Sequence, residues 1–219
     1  MVRFASARCK RIAAVCAIVA AATLGGCNLI SEFAYIVHDD NTPAEFAGLA
    51  EKRVAVVCRP TFQLQFADAS AAPDLAALVG ELLAKNVKKC KIVPPSEVAM
   101  WADSNNWDNF IEIGHAMKAD MVVGIDLEDF GLYEGPTLYQ GHAVLHVWVY
   151  DMHSGTRTAV FSKKLPQTLY PPTAAVSVSD KPEDAFRRDY LGVLSDHIAR
   201  LFYEHERLID FATDADSLK

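Results

Sequence analysis

The spacing of apolar positions changes character several times along the chain, and each change marks an element. Arg53-Val54-Ala55-Val56-Val57-Cys58 is a short, continuous, β-branched run closed by Arg59-Pro60, the pattern of a strand buried on both faces. From Pro73 to Val87 the apolar residues Leu75, Leu78, Val79, Leu82 and Leu83 fall at helical spacing. Ile92-Val93 before Pro94-Pro95 predicts a second short strand, Ser96 is placed to cap a helical turn, and Trp107 to Met117 predicts another helix. After Lys118-Ala119 the period falls from 3.6 to 2. Met121, Val123, Ile125 and Leu127 hold the odd positions over Asp120 to Phe130, with Asp126 and Glu128 among the even ones, and Ala143, Leu145, Val147 and Val149 hold the odd positions over Gly141 to Asp151. Asp151-Met152-His153-Ser154-Gly155 has hairpin-turn composition, and Thr156 to Leu165 predicts a third long strand.

Pro166 to Lys181, with Pro171-Pro172 and little periodicity, predicts a surface loop. Asp180 and Pro182-Glu183 then start a last helix running to about Glu206, with Phe186, Tyr190, Leu194, Ile198, Leu201 and Phe202 on one face. Residues 207–219 are expected to fray, and there is no internal repeat or low-complexity tract. The order βαβα-βββ-α predicts a single α/β (α+β) domain over residues 53–206. It is built on a mixed sheet of about five strands, with helices packed mainly on the odd-numbered face.

The first residues carry Arg3, Arg8, Lys10 and Arg11 and no acid, and an apolar run from Ile12 to Leu24 follows, the order of a secretory signal over residues 1–26. That run is 13 residues long, short of the roughly 18 or more that cross a bilayer. It ends in Leu24-Gly25-Gly26-Cys27, which resembles the bacterial lipobox, in which the cysteine thiol is acylated before cleavage. The resemblance implies a mature chain tethered by lipid at Cys27, with residues 27–52 as the tether, since two or more acyl chains give lasting attachment where one is marginal. Asn28 follows the cysteine where an Asp would signal inner-membrane retention, so the same resemblance favours the outer membrane, facing the periplasm.

The signal segment holds four of the 21 basic residues and none of the 28 acidic ones, leaving 17 against 28 and a formal charge of −11. So acidic a body has no footing on nucleic acid or an anionic bilayer surface, where clustered Lys and Arg supply most of the affinity. Once Cys9, Cys16 and Cys27 are set aside, Cys58 and Cys90 are left to pair in an oxidising compartment. If their strands are parallel neighbours the thiols sit at opposite ends, ~15 Å apart at ~3.3 Å per residue, beyond the reach of a disulfide.

Ile113-Gly114-His115-Ala116-Met117-Lys118-Ala119-Asp120-Met121-Val122-Val123-Gly124, with Val54 to Val57 before it and Tyr150-Asp151 to Ser154-Gly155 after it, resembles a group of envelope proteins. The group comprises the amino-terminal domain of the Tol–Pal translocation protein, lipoprotein activators of penicillin-binding proteins, and the curli-secretion-channel lipoprotein. The resemblance spans about residues 53–206. It implies a non-catalytic binding or assembly factor of the envelope or, alternatively, a subunit of an oligomeric outer-membrane secretion channel.

No GxSxG, HExxH, Walker, GxGxxG or CxxC motif occurs, so no compact catalytic signature is available and no cofactor is implied. His142 and His146 lie four residues apart, ~13 Å on a strand, too far to share one zinc. If Tyr133 to Thr137 forms a turn, Asp126 falls opposite His146, leaving open a solvated cross-strand pair or, with Glu128, the acid and base of an envelope hydrolase. The even-numbered face with His142, Val144, His146, Trp148 and Tyr150, beside Asp126 and Glu128, is rich in aromatics for a surface meeting only water. Either it binds an envelope protein or a further copy of the chain, or the 28–52 segment or the 166–181 loop covers it. Trp101 and Trp107 read as core or helix-edge residues.

Overall fold

The computed structural model describes residues 41–61, 64 and 68–206. The signal, Cys27 and the start of the tether, like the expected fraying after residue 206, lie outside these. Strand β1 (Arg53–Pro60) leads through α1 (Ala71–Asn86) to β2 (Lys91–Ile92), then α2 (Pro95–Ser104) and α3 (Phe110–Ala116) return the chain to β3 (Met121–Tyr133). A hairpin joins β3 to β4 (Leu138–Asp151), and β5 (Phe161–Lys164), β6 (Thr168–Tyr170) and β7 (Val176–Ser177) follow before α4 (Glu183–Ala199) and a 3₁₀ turn, Arg200–Phe202.

These seven strands form one mixed sheet in the order β2-β1-β3-β4-β5, with β6 and β7 also pairing with β4. β1 is parallel to both β2 and β3, while β4 is antiparallel to β3, β5, β6 and β7. The expected five strands thus become seven, because the 166–181 segment, read as a loop, contributes β6 and β7. At three and two residues these are too short to show a period, and they gain order by pairing with Gly141–Ala143 and Leu138–Tyr139. With β5 on His146–Val149 they cover successive stretches of the outer edge of β4 with short pieces, one way a sheet blunts an edge. The strand expected over Thr156 to Leu165 is confined to Phe161–Lys164, since polar residues after the Gly155 turn (φ +67°) stay exposed.

Helices lie on both faces. α1 and α4, the two longer ones, pack on the odd-numbered face of β3 and β4 as expected, burying Leu75, Val79, Leu83, Phe186, Tyr190, Leu194 and Ile198 against Val123, Ile125, Leu145 and Val147. α2 and α3 pack on the opposite face, over Ala55, Val57 and Val122. The connections explain the split. β1 to β2 moves one way along the sheet and β2 to β3 moves back past β1, and right-handed crossovers in opposite directions place their helices on opposite sides.

α2 begins one residue before the expected cap. Pro95 occupies its first turn with φ preset for a helix, which puts Ser96 inside it. α3 is capped by Asn109, whose side chain accepts the Glu112 N–H at 3.2 Å. The last helix ends at Ala199 rather than near Glu206, its final turn tightening to 3₁₀. Packing also begins ahead of Arg53: Leu49 is fully buried, and Phe46 donates its N–H to Leu201 and contacts Phe161 and Phe202. The described residues from Thr42 onward form one compact unit.

Arg187 of α4 joins the two long helices. Its guanidinium donates to Asp68 (2.8 and 3.2 Å), Ser70 Oγ (2.8 Å) and Asp74 (2.9 Å), while Asp68 Oδ1 accepts the N–H groups of Ser70 and Ala71 at the start of α1. Burial alone would raise the Asp68 carboxyl, but the Arg187 hydrogen bonds and charge hold it below its ordinary value. A carboxyl depressed in the folded state stabilises above its unfolded pKa of about 3.9 and loses that effect as pH falls through the folded value. Arg187→Met is therefore expected to cost about 1–3 kcal/mol at neutral pH. Denaturant titrations should show the penalty shrinking below about pH 4.

Candidate interaction surface

The even-numbered face of β3 and β4 divides at Asp126. On one side α3 lies against the sheet because Gly124 has no side chain; a Cβ there would sit 2.6 Å from the Phe110 ring. Phe110 is buried and contacts Trp107 and Tyr150, with ring centroids 6.0 and 6.1 Å apart, and Trp101, Trp148 and Tyr150 complete this second core. Trp101 and Trp107 are thus helix-edge residues packed on a core. Burial, and then the nearby Asp126 charge, pushes the Tyr150 hydroxyl up. Part of the aromatic face is therefore covered by α2 and α3, where the 28–52 segment or the 166–181 loop had been the expected covers. The signal for it was the glycine at 124, which lets a ring seat directly on the backbone.

At the boundary the β3–β4 register places Asp126 opposite His146, as expected. Asp126 accepts two hydrogen bonds from other partners, Arg59 Nε to Oδ1 at 2.8 Å and Trp148 Nε1 to Oδ2 at 2.9 Å. Arg59 also donates to the Asp108 carbonyl at 2.6 Å and lies 4.7 Å from the Phe110 ring centroid, so it ties the end of β1 to the base of α3. His146 stacks on Trp148 at 4.0 Å, and its Nε2 is 2.8 Å from Ser162 Oγ on β5.

Beyond Asp126 no helix of the described residues covers the face. His142, Val144 and His146 stand half-exposed along β4. They are flanked by Glu128, paired with Lys164 at 2.5 Å, and by Asp129, 3.8 Å from His142. A β-bulge after Leu127 brings Asp129 rather than Glu128 opposite Val144. Leu169, the register partner of His142, and Leu138 at the start of β4 are both exposed. The structure therefore separates the expected binding residues into two groups. Trp148 and Tyr150 belong to a packed wall, whereas His142, Val144, His146 and Glu128, with Leu138 and Leu169, line an open ledge.

Asp126, Glu128 and His146 each engage a different group, and none of them lines a cavity found near this face. Among the described residues no group of His, Cys, Asp and Glu is arranged to hold a metal. Met121, Val123, Ile125 and Leu127 of β3 and Ala143, Leu145, Val147 and Val149 of β4 are buried in the core under α1 and α4 and are not free to face lipid. Cys58 and Cys90 are free thiols. Parallel pairing of Arg53 with Lys91 puts them at opposite ends of their strands. Burial pushes both thiols up, Cys90 to about 11.

The sequence matches no protein-family profile, and no curated protein matches it. Solved structures align with the chain at low similarity. A PelC dodecamer from Paraburkholderia phytofirmans aligns at a TM-score of 0.43 and 13% identity, covering 75% of this chain and 96% of that one. Lipoprotein GNA1162 from Neisseria meningitidis gives 0.41 and 12%, over 67% and 97%. The LpoB C-terminal domain from Salmonella enterica gives 0.39 and 14%, over 57% and 87%.

Proposed function

We propose that this chain is a lipid-anchored, non-catalytic docking protein of the bacterial cell envelope. Acyl chains on Cys27 hold it at the outer membrane, facing the periplasm, and it binds an envelope protein through the open half of the even-numbered sheet face. The observation that carries the reading is that ledge. Leu138, Val144 and Leu169 stand uncovered beside two imidazoles, and Glu128 at their margin is already paired with Lys164. Apolar and imidazole groups with a polar margin suit a protein partner. Basic leader, short apolar run and Leu24-Gly25-Gly26-Cys27 supply the anchor. The separate engagements of Asp126, Glu128 and His146 favour binding over hydrolysis.

Exported behind a signal that is cleaved without acylation, Cys27→Ser should shift the chain from the membrane pellet to the soluble fraction and remove the acyl mass from the purified protein. A Cys27→Ser variant that stays in the pellet like the parent, with its signal cleaved, would overturn the anchor.

A further inference from the structure

A second recognition site opens at the other side of the sheet, at the edge of β1. Lys91 donates its N–H to the Lys52 carbonyl at 2.9 Å, and Val93 donates to the Val54 carbonyl at 2.8 Å. Alternate residues of β1 thus turn their backbone groups towards β2. The next acceptor in the series is the Val56 carbonyl, and the matching donor would be position 95. That position is proline, which has no N–H. The ladder stops there, and β2 pairs only with Arg53 and Val54.

Where the ladder stops a cavity of about 540 Å³ begins. Val56, Val57, Cys58 and Pro60 form its floor, α1 contributes Ala72 and Ala76, and α2 contributes Ala99 and Ala102. It lies at the carboxyl end of β1, where the connections leave in opposite directions, the topological switch point at which open α/β sheets bind ligands. Its size falls within the ~300–1,000 Å³ usual for such sites. The alanines keep it open where larger side chains would fill it. Among the described residues its one charged wall residue is Asp103, an exposed acid with no ion pair to another described residue.

We propose that this cleft binds a short extended peptide segment of a partner protein, apolar in the middle and carrying a lysine or arginine at one end. Three features select that occupant. The β1 edge at Val56 offers a backbone acceptor, which a main-chain N–H satisfies. The alanine walls take small aliphatic side chains. Asp103, on a chain of strongly negative charge, takes the basic end and rejects an acidic one. The site is separate from the ledge on β4, and each can fail without the other.

The test uses the detergent-solubilised full chain and the fluorescein-labelled peptide Lys-Ala-Val-Ala-Leu-Ala-Lys, read by anisotropy and by amide hydrogen exchange. Saturable binding is expected, with exchange slowed over residues 55–60. N-methylation of alternate peptide nitrogens should weaken binding by about tenfold or more, as loss of main-chain hydrogen bonding requires. Replacing both lysines by glutamate should abolish it. Ala99→Trp, at a half-exposed position lining the cleft, should fill it and remove binding while the circular dichroism spectrum stays that of the parent; Asp103→Asn should weaken binding by roughly fivefold. Undiminished binding of the N-methylated peptide would overturn the proposal in favour of a pocket for isolated apolar groups. Protection of residues 55–60 that rises with protein concentration and without peptide would overturn it in favour of a second copy. No binding, or protection confined to β4, would overturn it outright.

Discussion

Phe110→Ala should lower the unfolding free energy by about 3–5 kcal/mol, the usual cost of emptying a buried aromatic site. Its ring is 2% exposed, sits on the bare backbone of Gly124, and contacts Trp107, Tyr150 and the Arg59 guanidinium. Without it α3 loses its seat, and Arg59 loses the ring beneath it while still bonded to Asp126. Gly124→Val attacks the same contact from the sheet side and should cost about 1–3 kcal/mol through overpacking. The two changes should couple. In the double variant valine occupies space the ring has left, so the combined cost should fall short of the sum by about 1 kcal/mol or more. Urea titrations of the four proteins measure this. Strict additivity would mean that α3 is not held by that contact.

Tyr190→Ala should be comparably damaging on the opposite face, at about 3–5 kcal/mol. Tyr190 is fully buried and stacks with Phe130 and Tyr170 at centroid distances of 5.7 and 6.0 Å. It lies over Gly141, where a Cβ would come within 2.7 Å of its ring. Its hydroxyl donates to the Thr168 carbonyl at 2.8 Å, so it also holds β6 against β4. Tyr190→Phe keeps the ring and should cost only about 0.5–1.5 kcal/mol. Hydrogen exchange separates the two roles: the phenylalanine variant should open residues 168–170 ahead of the rest, whereas the alanine variant should loosen α4 as a whole.

Much of the fold was legible because the long elements repeat their signal. The alternation of Met121 to Leu127 and of Ala143 to Val149 spans enough residues to define both strands and the face each buries, and the expected pairing of Asp126 with His146 is present. Elements too short to hold a period were not legible. β6 and β7 owe their strand character to pairing with β4, a partner distant in sequence. The placement of α2 and α3 depended on the direction of two crossovers, which local pattern does not encode. The candidate site was half legible for the same reason. His142, Val144, His146, Trp148 and Tyr150 do share one face of one strand, but which of them α3 covers follows from Gly124 and Phe110 meeting across the fold.

The two halves of that face have different jobs in this account. The Trp148 wall and the Arg59–Asp126 pair fix the position of α3 and the rim of the ledge. The open ledge is the surface proposed to meet the partner. Substitutions in the wall should therefore act through stability, and substitutions on the ledge through binding.

Site-specific photocrosslinking in cells that carry the protein tests that division most directly. p-Benzoylphenylalanine is placed either at Val144, half-exposed on the ledge, or at Lys85, exposed on α1. The account predicts a discrete heavier adduct containing an envelope protein from position 144, and none from position 85, with both variants in the membrane fraction. Equal adducts from the two positions, or no adduct from position 144 in a folded, membrane-bound protein, would contradict it.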